Sequence, residues 1–493
     1  GSSWPTPRIN SIATAGMRYQ NAYSAPSCAP TRAQVLTGRY QFRNGVTFPT
    51  LPNGPLSVTD ETTFATILQQ QGYATGLAGK WNVFHGGSTS TGDARAQARH
   101  IAAHGFEESS TFLGHTIDYG AVQPEEEFVP FQLNQWACDF VERKAAGTRP
   151  FLLQYSLGLV HWASGGGLTA TPLDPTAATQ EQRYAAMMTY MDKMVGKLLD
   201  TLDDAGIADN TVVVFAGDNG TWSAISSIWN GRTIQGGKLS SLDTGSWVPL
   251  YVRWPGVVAE GTIYEGMTDF SDLFPTFLEI AGAVVPNYRI IDGISFLPQL
   301  KGEEEEHREI VYAGQFWEGT SQPDRRFEFV RDKSYKLIVD GAEESLYDIS
   351  RSPALERLIL PGNQTAEQLA ARTRLRNYLR DLHQAELAET GADSDRDGMT
   401  DFAEVIAGTD PTSPRSRLAL SEVLLDSAAG ARTCTLRFPT VTGRRYRVQS
   451  SATLDRDGWT FVSDPVTGTG SEIEIVISAA TAARYYRLSV EQP

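Results

Sequence analysis

The chain has only three cysteines in 493 residues, Cys28, Cys138 and Cys434. They are too few and too scattered for a disulfide framework or a cysteine-ligated zinc site. Positive charge is also short: 42 Lys and Arg stand against 58 Asp and Glu, a net charge of −16. Phosphate backbones bind to basic faces, which argues against nucleic acid as a partner. A small anionic substrate is not excluded, because a pocket can be locally basic in an acidic protein. No apolar run reaches the ~18 residues of a membrane-spanning helix. No secretory signal opens the sequence, which begins at Gly-Ser-Ser-Trp-Pro-Thr-Pro-Arg-Ile.

What is present describes a globular α/β protein. Apolar residues make up 41% and charged residues 20% of a chain long enough for two or three domains. Buried-strand runs at Phe151–Leu157 and Thr211–Ala216 enclose a helical pattern over Tyr184–Leu202. Met188 and Met191 in that helix read as core filling. Cys138 reads as a helix core residue and Cys434 as an inward strand position. Further strands are expected at Val248–Arg253 and within Arg326–Asp348, and helices at Asp272–Ala281 and Thr365–Leu387. The polar stretch Ala388–Pro414 ends in turn residues and marks a boundary. Beyond it, short β-rich runs (Thr433–Phe438, Arg445–Ser450, Trp459–Val462, Glu472–Ile477, Arg484–Val490) predict a small antiparallel module.

One segment carries most of the chemical information, Ser27-Cys28-Ala29-Pro30-Thr31-Arg32 leading to Thr37-Gly38. Pro30 fits the first turn of a helix, where no amide donor is required. Cys28 then lies at the positive end of that helix, with Arg32 one turn further in, which is an arrangement for an anion. Taken alone, the same residues also describe a buried cysteine before a short helix. Asp218-Asn219-Gly220 closes an expected strand; it is either a turn or a pair of oxygen ligands for a hard divalent ion. In the linker, Asp393, Asp395, Asp397, Gly398, Asp401 and Glu404 match every ligand and glycine position of a calcium loop. The stretch resembles EF-hand-like and thrombospondin type 3 loops, which separate modules in secreted proteins; the resemblance implies millimolar calcium and hence an extracytoplasmic setting, periplasmic or secreted.

The Cys-x-Pro-x-Arg and Thr-Gly elements resemble the signature of the formylglycine-dependent sulfatases, arylsulfatase-like members of the alkaline phosphatase superfamily. With gaps, the resemblance runs over residues 1–387. It implies an alkaline-phosphatase-like central mixed sheet flanked by helices, with a smaller C-terminal sheet over about residues 301–387. A calcium-loop linker (388–414), similar to EF-hand and thrombospondin type 3 loops, and a β-sandwich-like module (415–493) would follow. It implies oxidation of Cys28 to formylglycine by a formylglycine-generating or anaerobic sulfatase-maturating enzyme. In such a mechanism the hydrated aldehyde would attack sulfur with one hydroxyl and expel sulfate with the other.

The same resemblance assigns the remaining residues. Arg32 and Lys80, the latter in Gly79-Lys80-Trp81, would stabilise the nucleophile and developing charge. His161 and Lys238 would hold the sulfate, His161 also protonating the leaving oxygen. Asp218, Asn219 and the residue at 28 would contact an active-site Ca2+. Two departures stand out. The family pattern has histidine where this chain has Asn82, an amide able to hydrogen-bond but not to move protons near neutral pH; His85 is a candidate replacement. The aspartate pair that completes the calcium site is not found, so calcium is expected to bind weakly or not at all. His104 and His115 are structural or substrate-facing, and glycines 165–167 allow a mobile loop beside the site. The substrate would be an aryl sulfate or a sulfated carbohydrate. Alternatives are hydrolysis of phosphate or phosphonate esters, or an inactive homologue that binds sulfated glycans.

Overall fold

The computed structural model describes residues 4–47, 61–83, 91–112, 117–163, 166–286, 289–303, 306–317, 325–351, 355–389, 421–426, 433–440, 445–451, 460–478 and 485–491. His85, His115, Gly165 and the calcium-loop residues Asp393, Asp395, Asp397, Asp401 and Glu404 lie outside the described residues. The chain folds into two units, 1–285 with 291–379, and 286–290 with 380–493. Among the described residues no helix is long and apolar enough to cross a membrane.

Among the described residues the first unit is built on three larger sheets and one two-stranded hairpin. Strands β1 (Met17–Tyr23), β5 (Val213–Ala216), β8 (Leu250–Arg253) and β9 (Thr262–Asp269) form a mixed sheet in the order β5-β8-β1-β9. β1 runs antiparallel to β8, with Tyr19 opposite Leu250, and parallel to β9, with Tyr19 opposite Tyr264. A second sheet, β3-β2-β4, is wholly parallel and comprises β2 (Ala74–Lys80), β3 (Glu108–Phe112) and β4 (Phe151–Ser156). Its central strand β2 is buried along its whole length. That burial is the reason its sequence, Ala-Thr-Gly-Leu-Ala-Gly-Lys, is small and apolar up to its last residue. Mixed and parallel sheets with intervening helices are the α/β architecture the alternating pattern predicts.

Helices cover these sheets. α1 (Pro7–Thr14) and α2 (Cys28–Thr37) flank β1; α3 (Val129–Ala145) and α4 (Gln180–Asp204) come before and after β4. A capping box starts α4, in which the Thr179 hydroxyl accepts from the Gln182 amide and the Gln182 side chain accepts in return. Losing such a cap costs about 1 kcal/mol. On α4, Met187, Tyr190 and Met194 are fully buried, while Met188 and Met191 pack against the core less completely. Cys138 is buried on α3.

Strands β6 (Ser226–Trp229) and β7 (Arg232–Gln235) make a two-stranded hairpin, with Trp229 opposite Arg232. Its loop, Asn230-Gly231, has φ of 47° and 76°. Both residues therefore occupy the left-handed region, which suits an Asn-Gly hairpin turn whose twist matches its strands. The third sheet is a five-stranded antiparallel meander: β10 (Val311–Trp317), β11 (Arg325–Arg331), β12 (Tyr335–Asp340), β13 (Glu343–Asp348) and β14 (Arg357–Ile359). The helix Ala366–Glu389 follows it in sequence.

In the second unit, β15 (Glu422–Asp426), β16 (Thr433–Pro439) and β20 (Glu472–Ser478) form one antiparallel sheet. β17 (Arg445–Ser451) pairs with β18 (Thr460–Phe461), β19 (Val466–Thr467) and β21 (Tyr485–Glu491) in another. Inward residues of both, including Cys434, Leu436, Tyr446, Val448 and Ile475, share one hydrophobic cluster. The two-residue alternation in β16 places Cys434 inward, as its sequence suggests.

Candidate active site

The site begins where β1 ends. The chain leaves β1 at Tyr23, passes Ser27 in an extended conformation and enters α2 at Cys28. The Thr31 hydroxyl donates to the carbonyls of Ser27 (2.9 Å) and Ala25 (3.2 Å), which ties the helix start to the loop before it. Cys28 is only 5% exposed. Its sulfur accepts a hydrogen bond from the Asn82 side-chain amide at 3.2 Å. Asn82 lies just past β2 with φ of 61°. Asparagine is one of the few residues that takes this conformation at low cost.

Between Lys80 and Asn82, the Trp81 indole anchors the segment in the core. It is 1% exposed, donates from Nε1 to His100 Nδ1 at 3.0 Å, and packs against Phe106 and His104. His104 is itself 1% exposed, with its Nδ1 hydrogen-bonded to the His100 carbonyl, a structural position that faces no substrate. Burial pushes its imidazole below the usual range.

Arg32 bridges two of the elements. Its guanidinium donates to the Lys80 carbonyl and to Asp218 Oδ2, both at 2.9 Å. Asp218, at the end of β5, thereby meets α2 and β2. The following Asn219 donates to the Gly220 carbonyl, and its Oδ1 is buried with no hydrogen-bond partner among the described residues. Gly220 is required by packing, since a Cβ there would sit 1.8 Å from the Thr244 carbonyl oxygen. The loop that carries Lys238 closes the other side. Lys238 donates its amide to Thr221 O and Leu239 donates to Pro26 O, at 3.0 and 2.9 Å. His161, past the end of β4, is held by Tyr119, whose hydroxyl donates to the His161 carbonyl at 2.6 Å. The His161 Nδ1 lies 3.2 Å from the Trp162 carbonyl. With its proton on Nδ1, Nε2 is the free acceptor.

The charges act on one another. Burial opposes ionisation of Cys28, but Lys80, Lys238 and Arg32 together outweigh it and hold the thiol below the usual range. Burial lowers Lys80, with Arg32 and Lys238 adding to the effect and Cys28 opposing it. Lys80 is 2% exposed, and its buried ammonium has no hydrogen-bond partner among the described residues. Burial, then Lys80 and Lys238, push His161 down to about 3. Burial favours a neutral Asp218; Arg32, Lys80 and Lys238 overcome it and keep the carboxylate ionised. The result is a compact cationic site around one ionisable thiol, in a protein of net charge −16. Such a site binds and polarises an anion.

Cys28, Arg32, Lys80, Asn82, His161, Asp218 and Lys238 thus form one constellation drawn from five separate stretches of sequence. Sequence reading did not find its supports, Tyr119 behind His161 and the Trp81–His100 anchor. It also missed the network Asp243–Arg331–Lys336–Glu356. There, Lys336 donates to Asp243 (2.8 Å) and Glu356 (2.7 Å), Arg331 pairs with Asp243, and Lys336, Asp243 and Arg331 are all fully buried. It pins the Lys238-bearing loop to the small sheet. Long-range ion pairs of this kind have no local sequence signal.

For a calcium ion, Asp218 and Asn219 are suitable in kind, and the unpartnered Asn219 Oδ1 is an acceptor with nothing to bind. Calcium takes about six to eight oxygens. Among the described residues no cluster of three or more His, Cys, Asp or Glu side chains forms a cage. The residues present fall short of a calcium site by themselves.

The sulfatase family pattern matches residues 1–283, and the pattern for the C-terminal part of N-sulphoglucosamine sulphohydrolase matches residues 241–385. Arylsulfatase G of Rattus norvegicus is 30% identical over 376 residues, covering 63% of this chain and 68% of the relative. N-acetylgalactosamine-6-sulfatase of Canis lupus familiaris is 30% identical over 351 residues, covering 62% of this chain and 63% of the relative. The solved structure of Ps i-CgsB in complex with k-i-k-neocarrahexaose superimposes with a TM-score of 0.61 at 23% identity, covering 77% of this chain and 87% of that one. This chain belongs to the sulfatase family. Its main activity class is accordingly that of a sulfuric ester hydrolase.

Proposed function

We propose that the chain hydrolyses sulfate esters of a sulfated carbohydrate, with the residue at position 28 as nucleophile after conversion of Cys28 to formylglycine. The observation that carries this reading is the placement of Cys28 at a helix start among Lys80, Lys238 and Arg32. Formylglycine at position 28 would supply, as its hydrate, a hydroxyl nucleophile for sulfur and a second hydroxyl for the release of sulfate. The chain's own residues do the rest. Lys80 and Lys238 neutralise the sulfuryl oxygens, and Arg32 holds Asp218 and the end of β2 in register. Asn82 orients the residue at 28 through its amide hydrogen and moves no proton. His161 arrives neutral, and an incoming sulfate offsets the cations that depress it, which lets it take up a proton for the leaving oxygen.

Asp218 and Asn219, with the group at 28, are the ligands this chain offers to an active-site calcium ion. Two protein ligands and one modified side chain bind it weakly or not at all. Asp393, Asp395, Asp397, Asp401 and Glu404 supply a second, structural calcium loop between a sulfatase domain (1–387) and a β-sandwich-like module (415–493). Calcium at extracellular levels and a converting enzyme that reads the Cys28 segment fit a periplasmic or secreted protein. Sulfated carbohydrate is favoured as substrate because relatives are named for N-acetylgalactosamine-6-sulfate and N-sulphoglucosamine chemistry.

The test is turnover of an aryl sulfate by protein produced together with a formylglycine-generating enzyme, with Cys28→Ala as control. Sulfate release that is lost in the control is the expected result. Equal or faster turnover of the matching aryl phosphate or phosphonate would replace this reading with its phosphoester alternative. No turnover of either by fully converted protein would make it an inactive homologue.

A further inference from the structure

A cavity with a cationic lining lies in the first unit, away from the residues around Cys28 and sharing with the site above only Arg331 of its supporting network. Its volume is about 300 Å³, and it is lined by Asn21 of β1, Trp229 of the β6–β7 hairpin, Glu265 of β9, and Arg331, Lys333 and Arg351 around the small sheet. That volume lies at the small end of ligand sites and suits about one sugar ring.

We propose that this cavity binds a sulfated saccharide unit, as a non-catalytic subsite that holds a polymeric chain. Arg331 is the fixed floor. It is 2% exposed, donates to the Tyr23 hydroxyl and the Asp243 carboxylate, and its Nε donates to the Asp332 carbonyl at 3.1 Å. Its charge is therefore already matched by Asp243. Lys333 and Arg351 differ: both are exposed and neither forms an ion pair among the described residues. Asp348, next to them, accepts from the Ser350 hydroxyl and amide. Arg351 also acts electrostatically on the Asp348 carboxylate beside the cavity, but within the lining Lys333 and Arg351 are exposed cations set against the single carboxylate of Glu265, in a strongly acidic chain. They are placed to pair with sulfate oxygens.

Trp229 supplies the second requirement. The Asn230-Gly231 turn holds it at the hairpin end, and its ring meets Trp247 edge-on, with centroids 5.2 Å apart at 90°. Trp247 is fixed in turn by donating from Nε1 to the Gln20 carbonyl at 2.8 Å. A braced indole beside exposed cations matches a ligand with both an apolar ring face and anionic substituents. A bare inorganic anion needs no indole. Both Tyr23 and Asp243, which hold Arg331, belong to the short segments that carry Cys28 and Lys238. The subsite and the reaction site thus share one rigid support.

The choice of a sulfated ligand rests on the sulfated-carbohydrate reading, but the test measures binding alone. A dextran sulfate oligosaccharide is titrated calorimetrically into the full chain at fixed salt, with unsulfated dextran and inorganic sulfate in parallel. Tighter binding of dextran sulfate than of either control is expected, weakened about tenfold or more in Lys333→Ala/Arg351→Ala. Trp229→Ala should weaken the oligosaccharide and leave inorganic sulfate unchanged, with thermal unfolding as the folding control. Equal affinity of wild type and folded double variant, no binding by wild type, or equal affinity for inorganic sulfate and the oligosaccharide would overturn the proposal. Absence of aryl sulfate turnover would instead sink the catalytic reading and leave this binding result untouched.

Discussion

The side-chain amide of Asn82 donates to the sulfur of Cys28 across 3.2 Å. An amide can hold that group but cannot take its proton near neutral pH. Ionisation at position 28 therefore depends on the surrounding charges and on this one donor. Asn82→Asp keeps the size and tolerates φ of 61°, but sets a carboxylate against the sulfur. The thiolate absorbance of unconverted protein, corrected with Cys28→Ser, should titrate at higher pH in this variant. An unchanged titration would mean that the contact does not form in solution.

Lys80 is the first of the cations that lower the Cys28 thiol. Lys80→Met keeps the buried stem and removes the charge. We expect the Cys28 titration to rise by about one pH unit, equivalent to ~1.4 kcal/mol. A midpoint within experimental error of wild type would show that the ammonium does not face the sulfur.

His161 is depressed to about 3, so it is neutral throughout the ordinary pH range. The sign for stability follows. The unfolded state binds the proton more readily, so this group's contribution is complete above the ordinary histidine value and is lost as pH falls from about 6.5 toward 3. By NMR, the His161 ring should not titrate between pH 8 and 5. Saturating inorganic sulfate should raise its pKa, because the anion offsets Lys80 and Lys238. A ring titrating normally near pH 6.5 without sulfate would contradict the geometry.

Lys336 is fully buried between Asp243 and Glu356. Lys336→Met leaves Glu356 without its cation and Asp243 with Arg331 alone. Breaking one partner out of a buried network costs about 3–5 kcal/mol. The unfolding temperature should fall accordingly, and aryl sulfate turnover should fall with it, because the loop bearing Lys238 loses its anchor. A variant as stable as wild type would remove the network from the account.

Much of this was legible in the sequence, for physical reasons that differ by element. Strand β2 and helix α2 were readable because their signals are local: a small-residue run ending at Lys80, and a proline in the first turn after Cys28. The helix expected over Tyr184–Leu202 was readable from its period, but it begins at Gln180, because the polar first turn and its Thr179 cap carry no apolar period. Thr211 and Val212 read as strand, yet β5 begins at Val213, since the Thr211 side chain donates to the Ile207 carbonyl and closes a turn. The site residues were found by motif resemblance. Nothing local says that Arg32 reaches Asp218, or that Tyr119 braces His161. Those contacts join residues far apart in sequence, and only the fold brings them together.

The most direct measurement is the mass of the peptide that carries residue 28, from protein produced together with a formylglycine-generating enzyme. The account predicts the aldehyde or its hydrate at that position, at high occupancy. An intact Cys28 thiol, in cells that convert a known sulfatase expressed alongside it, would contradict the claim that this residue becomes the nucleophile.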